Sequence, residues 1–424
     1  MILGYEQLDQ NYKGWNFNGR YNLPYIDYKA KNTFQQEIID SLINPRLDIK
    51  SHIVYLPFRN YPGLTELSID NISDQKYFYP IWIYSPELFV DLMGQLSISP
   101  KVRSHIEKGQ AKILLLFPSE GDQFRYLDKF KSIVASLNLN KNDIYFIHSD
   151  LAEEKWQGHN FHYRSCNHFL YSMGKFYTKF KNLEIKKDFR HLFLSYNRNT
   201  RPQRLILLNE LVKNGLVDQG LISFRTPIDE FESVSRNIKE RQNYTFLPID
   251  HLKKYLEITL DQNTWQTTPA YDINPEHHSS TFLSLVTESV CDNTGIIFTT
   301  EKIFKPILLG HPFFLVGQRY YLAELRKLGF QTFGDFWSEE YDEIPHYIDR
   351  INHIVEQLQK LKKLDIQELN QIKTEMLPIL NHNRTVLFKY LDQQIIPNND
   401  LNQIDFHSSV FNVIKSLYKE LFND

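Results

Sequence analysis

Ala111-Lys112-Ile113-Leu114-Leu115-Leu116-Phe117 is an apolar run broken by a single lysine. A strand with one wet face alternates apolar and polar residues. An unbroken run suits a strand covered on both faces, as in a parallel sheet sandwiched by helices. Working outward, Pro118-Ser119-Glu120-Gly121-Asp122 reads as a turn and Gln123 to Leu137 as a helix. Asp143 to Ile147 reads as the next strand, ending on polar His148-Ser149-Asp150. Strand, helix and strand in that order form the repeating unit of an α/β fold. Upstream, His52 to Leu56 and Phe78 to Tyr84 read as strands, the latter followed by Pro86 and a helix through Met93. The first ~50 residues read as irregular and aromatic, by the absence of any period.

The same pattern restarts downstream of a charged segment, Lys179 to Arg190. His191 to Ser195 reads as a strand, Tyr196 to Arg201 as a polar turn, and Pro202 opens a helix through Lys213, a favoured place for proline. Gly220 to Phe224, Thr281 to Val286, Gly295 to Phe298 and Pro312 to Val316 read as strands. Thr300 is the expected N-cap of a helix from Glu301 to Leu309. Asp342 to Lys363 is expected as one long amphipathic helix, and Leu369 to Leu391 as a helical region interrupted by Pro378. The reading predicts an N-terminal α/β domain over 1–185, a second over 186–395, and a C-terminal helix within 396–424 that crosses back to the first.

A chain of 424 residues suits two such domains. Hydrophobic residues at 42% and charged residues at 23% place it among globular proteins. The formal net charge of -3 leaves no basic excess for a phosphate backbone, so stable nucleic-acid binding is not expected. Cys166 and Cys291 are far apart and form neither a metal nor a redox spacing, which suits a reducing cytoplasm. The residues from Met1 to Gly14 lack the basic-then-apolar pattern of a signal peptide, and no apolar run approaches the ~18 residues of a membrane helix. A cytoplasmic protein is expected, with peripheral membrane contact left open.

The residues with the most chemistry in them run from Thr299 to Gly317. A capped helix start carries about half a positive charge and free N–H groups, which makes it an anion site. Lys302 falls in that first turn, where a cation opposes the helix dipole unless a phosphate shares both charges. Glu301 either accepts hydrogen bonds from ligand hydroxyls or complements the dipole. The plain alternative is a surface helix with both side chains solvated. A second such place is Ser195-Tyr196-Asn197-Arg198-Asn199-Thr200-Arg201-Pro202-Gln203-Arg204, where a guanidinium at a helix start again suits phosphate oxygens.

The first of these stretches, with Phe282 to Ser289 ahead of it, resembles the donor-binding signature of the α-1,3-fucosyltransferase family, and the second resembles the strand, Ser-Asn-Cys and helix-start arginine that open that family's donor domain. That signature runs approximately Phe-Tyr-Leu-Ser-Phe-Glu-Asn-Ser, then Thr-Glu-Lys-Leu/Phe, then Pro-Val-Val-x-Gly. Here stand Phe282-Leu283-Ser284-Leu285-Val286-Thr287-Glu288-Ser289, Thr300-Glu301-Lys302-Ile303-Phe304 and Pro312-Phe313-Phe314-Leu315-Val316-Gly317. The resemblance implies a GT-B fold, two Rossmann-like domains facing a cleft. It implies that Lys302 holds a donor diphosphate and Glu301 the donor nucleoside. Thr300, Ser195, Asn197, Glu288 and the arginines, Arg201 first, then Arg204 and Arg198, complete the expected donor site. Lys305-Pro306 and His311 depart from the family pattern, as does the chain beyond Leu325.

The function expected is metal-independent, inverting transfer of a sugar from a nucleoside-diphosphate sugar, with GDP-fucose favoured, to a glycan or other hydroxyl acceptor, as in polysaccharide biosynthesis. Helix dipoles and basic side chains would neutralise the leaving diphosphate, so no metal and no cofactor is expected. No Asp-x-Asp metal motif is found. Asp335, Glu339, Glu340, Asp342 and Glu343 are expected as a solvated loop and helix start. Inverting transfer needs a carboxylate base. Glu120 is the first choice and Asp122 the reserve, both following the best strand of the first half, with His148 and Asp150 behind them. His277 and His278 are expected on a loop rather than as metal ligands, and Trp15, Trp156 and Trp265 as buried. Two alternatives stay open: a phage-type nucleic-acid base glycosyltransferase, and a non-catalytic nucleotide- or glycan-binding protein of the same fold.

Overall fold

A computed structural model describes residues 1–5, 65–82, 98–117, 131–132, 134–151, 158–166, 168–184, 189–260, 273–292, 297–393 and 406–422. The chain is α/β and divides into two compact units. One is Met1–His168 together with Phe406–Asp424, and the other is Phe169–Asp405. The division falls upstream of the charged segment, and the C-terminal helix belongs to the first unit.

The first unit is built on a parallel sheet in the order β2-β1-β3-β4-β5-β6. Its strands are β1 (Ile2–Tyr5), β2 (Thr65–Ser68), β3 (Tyr77–Trp82), β4 (Ala111–Phe117), β5 (Ile144–His148) and β6 (His162–Ser165). The apolar run of β4 lies between β3 and β5, with Ile113, Leu114, Leu115 and Leu116 fully buried. Its one lysine, Lys112, reaches the sheet margin and pairs with Asp143 at 2.6 Å. Helix α1 (Pro100–Glu107), capped by Ser99, feeds β4 and contributes buried Val102 and Ile106. The C-terminal helix Phe406–Phe422 packs on β3: the Phe78 ring lies 5.7 Å from Tyr418 and 5.3 Å from Phe422, and Tyr418 donates to the Lys76 carbonyl at 2.6 Å.

Three strands here correct the sequence reading. β1 falls in the stretch read as irregular, and it is an inner strand. β2 and β6 went unread because four residues such as His-Tyr-Arg-Ser show no apolar period. The expected strand at His52 to Leu56, the helix through Met93 and the turn at Pro118 to Asp122 lie outside the described residues.

The second unit carries a parallel sheet in the order β10-β9-β7-β8. β7 (His191–Asn197) leads through α2 (Pro202–Lys213) to β8 (Gly220–Phe224) on one side. After α3 (Ile228–Gln242) and the short α4 (Pro275–Ser279), the chain returns to β9 (Thr281–Thr287) on the other side of β7. From there α5 (Glu301–Leu309) leads to β10 (Phe313–Val316). The chain therefore leaves β7 and β9 in opposite directions, and their carboxyl ends form a switch point. Such points are where open α/β sheets bind ligands.

The helices that follow β10 are α6 (Tyr321–Lys327), α7 (Tyr347–Leu361), α8 (Ile366–Glu375) and α9 (Leu377–Gln393). The long helix expected from Asp342 starts only at Tyr347, because Pro345 separates it from a 3-10 turn at Glu340–Glu343. The helical region expected from Leu369 to Leu391 is interrupted just ahead of Pro378: α8 ends at Glu375 and α9 begins at Leu377, which puts Pro378 in the first turn of α9, where its missing N–H costs nothing. His277 and His278 lie in α4, capped by Asn274, rather than on a loop. The acidic run is not solvated throughout. Asp342 is buried and accepts from the Leu322 and Ala323 amides at 2.9 and 3.1 Å, capping α6, and Glu339 accepts from Thr332 and the Phe333 amide.

Candidate functional site

The carboxyl edge of the second sheet gathers most of the expected donor residues. β7 and β9 run in register with His191 opposite Thr281 and Leu194 opposite Ser284. Continued to the strand ends, that register sets Asn197 beside Thr287. Ser195 is buried and donates to the Leu285 carbonyl at 3.3 Å, and Asn197 Nδ2 donates to Ser195 Oγ at 2.9 Å. Asn197 Oδ1 and Thr287 Oγ1 are buried with no hydrogen-bond partner. A buried polar atom without a partner is costly, and at a sheet's ligand-binding edge it is an open acceptor or donor position.

Helix α5 begins at the same edge. Thr300 has extended backbone, with φ -122° and ψ 176°, and its Oγ1 accepts from the Lys302 amide at 3.3 Å. Gly310 ends the helix in the left-handed region at φ 61°. Pro306 stands inside α5 and leaves the Lys302 carbonyl without its usual i+4 donor. Lys302 Nζ lies 3.0 Å from Thr300 Oγ1, 3.3 Å from Ser289 Oγ and 3.3 Å from Glu301 Oε1. The Lys302 side chain is 23% exposed and that of Glu301 is 6% exposed, so the cation faces outward over a buried carboxylate. The second oxygen, Glu301 Oε2, is buried with no partner.

Glu288 takes a different place from the one expected. It is fully buried, so it reaches a ligand only through its neighbours. Its carboxylate accepts from Thr300 Oγ1 at 2.5 Å, the Thr300 amide at 3.3 Å and the Tyr321 hydroxyl at 2.7 Å. Burial pushes its pKa above the usual carboxylate value, opposed by the Lys302 charge and by the Thr300 and Tyr321 hydrogen bonds. Gln203, in the first turn of α2, donates to the Glu288 and Ser289 carbonyls at 2.9 and 3.1 Å and ties the two helix starts together.

The arginines separate. Arg201 is the exposed N-cap residue of α2, and its side chain makes no capping bond. Arg204 is buried and donates to the Asn199 carbonyl at 2.7 Å, which fixes the turn after β7. Arg198 lies in that turn, half-buried. His311, the departure from the family pattern, lies at the opposite end of the sheet. Its ring bonds Ser284 Oγ at 2.8 Å and the Thr281 carbonyl at 2.9 Å, and burial holds its pKa well below the usual histidine value. Cys291 is buried and donates to the Gly317 carbonyl, and burial pushes its thiol up to about 12, so it is unreactive.

In the first unit, Glu120 and Asp122 lie outside the described residues, as do Trp15, Trp156 and Trp265. His148 is the last residue of β5 and Asp150 lies two residues beyond it; both are buried, and burial pushes His148 down to about 3, so it is neutral at ordinary pH. Among the described residues no cluster of three His, Cys, Asp or Glu side chains could hold a metal ion, and no helix is long and apolar enough to cross a membrane.

Thr287, Gln203 and Tyr321 are members of this edge that sequence reasoning passed over. Gln203 had a signal, since it follows the helix-opening Pro202. Tyr321 had none, because its partner Glu288 is distant in sequence.

No family model and no curated protein matches the chain. Among solved structures it is similar to the N-terminal domain of Candida albicans trehalose-6-phosphate phosphatase, at 9% identity and a TM-score of 0.36, covering 82% of this chain and 72% of that one. A likeness that slight carries no argument.

Proposed function

We propose that the chain is a GT-B-type glycosyltransferase that takes its sugar from a nucleoside-diphosphate sugar. The observation that carries this reading is the start of α5, where an outward-facing Lys302 stands over a buried, half-partnered Glu301 at the sheet's switch point. A helix N-terminus and an ammonium stabilise a diphosphate both when bound and as a leaving group, the role a metal plays elsewhere. The partnerless Glu301 oxygen is buried, and it would accept from a ribose hydroxyl once ligand binding uncovers it. Arg201 adds a second cation from α2. GDP-fucose is the favoured donor by resemblance, and the acceptor is a glycan or another hydroxyl compound. Glu120, three residues beyond β4, is the proposed base, with Asp122 as reserve.

The test is turnover of a panel of GDP-, UDP- and ADP-sugars, read as release of the nucleoside diphosphate. Release with one donor, lost in Lys302→Ala, is expected. Binding of a nucleotide sugar without release under any acceptor would instead favour a binding protein of the same fold.

A further inference from the structure

Two carboxylates and one ammonium meet at the start of α5. Glu301 has Lys302 Nζ as a direct counter-ion at 3.3 Å. Among the described residues Glu288 has no cation in contact; it meets Lys302 only through the Thr300 hydroxyl, which donates to Glu288 Oε2 at 2.5 Å and accepts from Lys302 Nζ at 3.0 Å. Tyr321, from α6, donates to the other oxygen at 2.7 Å. Cys291, with Arg350 hydrogen-bonded to its carbonyl, lies in the loop beyond Glu288. With both carboxylates ionised the site is one negative charge in excess before any ligand arrives. A diphosphate brought to Lys302 then draws its ammonium away from Thr300 and sets more negative charge beside a fully buried carboxylate, where little water screens it.

We infer that Glu288 is a positioning residue that takes up one proton when a diphosphate ligand binds at Lys302, and that this proton frees the Thr300 hydroxyl to serve the ligand. The inference rests on the proposed donor site. In the empty site the Thr300 hydrogen points at Glu288 Oε2. A proton from solvent on Oε2 reverses that bond, so that the carboxyl O–H donates to Thr300 Oγ1. The Thr300 hydrogen then turns toward the position Lys302 Nζ now occupies and donates to a phosphate oxygen there. Glu288 becomes neutral, and the Lys302 charge passes from the carboxylates to the phosphate. Tyr321 opposes the protonation, because its hydroxyl stabilises the anion.

Isothermal titration calorimetry with GDP-fucose and UDP-glucose tests this between pH 5.5 and 8. Both ligands are diphosphate diesters whose charge is constant over that range. Runs in buffers of different ionisation enthalpy report the protons taken up. For one proton the affinity falls by up to about tenfold per pH unit as pH rises through the Glu288 titration. Glu288→Gln is expected to take up no proton and to bind at pH 8 as tightly as the wild type at pH 5.5, because the amide copies the neutral carboxyl. Tyr321→Phe is expected to move the wild-type pH midpoint upward, which a purely structural role for Glu288 would not do. Binding without proton uptake, or uptake that persists in Glu288→Gln, overturns the inference and leaves the donor site standing. No binding of either ligand at any pH, together with no thermal shift from GDP, UDP or ADP, overturns both together.

Discussion

Lys302 is a cation in the first turn of a helix, where the dipole costs it about 0.3–1 kcal/mol. Its nearest partners, Glu301, Ser289 and Thr300, offset that cost without filling its outward side. The Thr300 cap was legible in sequence because capping is local: a threonine before an amphipathic run suffices. The burial of Glu288 was not, because it depends on Tyr321, which arrives from the far side of β10. Glu120 is a sharper matter. If it is the base, Glu120→Gln lowers turnover by about 10²–10⁴-fold and leaves nucleotide binding intact. Turnover that survives the substitution passes the role to Asp122 or another carboxylate.

At the scale of elements, Arg350 of α7 joins the loops that follow β9 and β10. It is buried and donates to the carbonyls of Cys291, Gly317, Ile344 and Pro345. Replacing it by methionine keeps the stem and strands four carbonyls, and a loss of about 3 kcal/mol or more in urea unfolding is expected. A loss below about 1 kcal/mol would show that water satisfies them. Gly220, the first residue of β8, has a simpler reason to be glycine. A Cβ there would enter the ring of Phe193 on β7. Gly220→Ala is expected to cost about 1–3 kcal/mol in the same assay. The buried strands β4, β7, β9 and β10 were readable because their apolar runs match burial on both faces of the sheet. β1, β2 and β6 were not, since four residues at or near a sheet edge need no pattern beyond their neighbours' hydrogen bonds. The acidic run from Asp335 to Glu343 misled for a related reason. Its charges read as solvated, yet Asp342 is held inside by the free amides at the start of α6.

For the whole molecule, buried neutral histidines set the acid limit. Burial lowers His278 to about 4 and His148 to about 3, and holds His311 well below the usual value, with the Lys373 charge as its second cause. A depressed pKa contributes stability above the unfolded value of 6.5, and that contribution is lost as pH falls toward the folded one. The melting temperature is therefore expected to be level from pH 8 to about 6.5 and to fall from there toward pH 4. The share of His278 alone is on the order of 3 kcal/mol, and His278→Gln should make the slope shallower. A diphosphate grip at the start of α5 is open to test by thermal unfolding with GDP, UDP, ADP and CMP, for the wild type and Lys302→Ala. A ligand at 100 times its dissociation constant adds about 2.7 kcal/mol, or roughly 3 °C for a chain of this length melting as one. A shift of that size with one diphosphate, absent in Lys302→Ala, is the predicted result. Equal shifts in the two proteins, or none with any nucleotide, would contradict it.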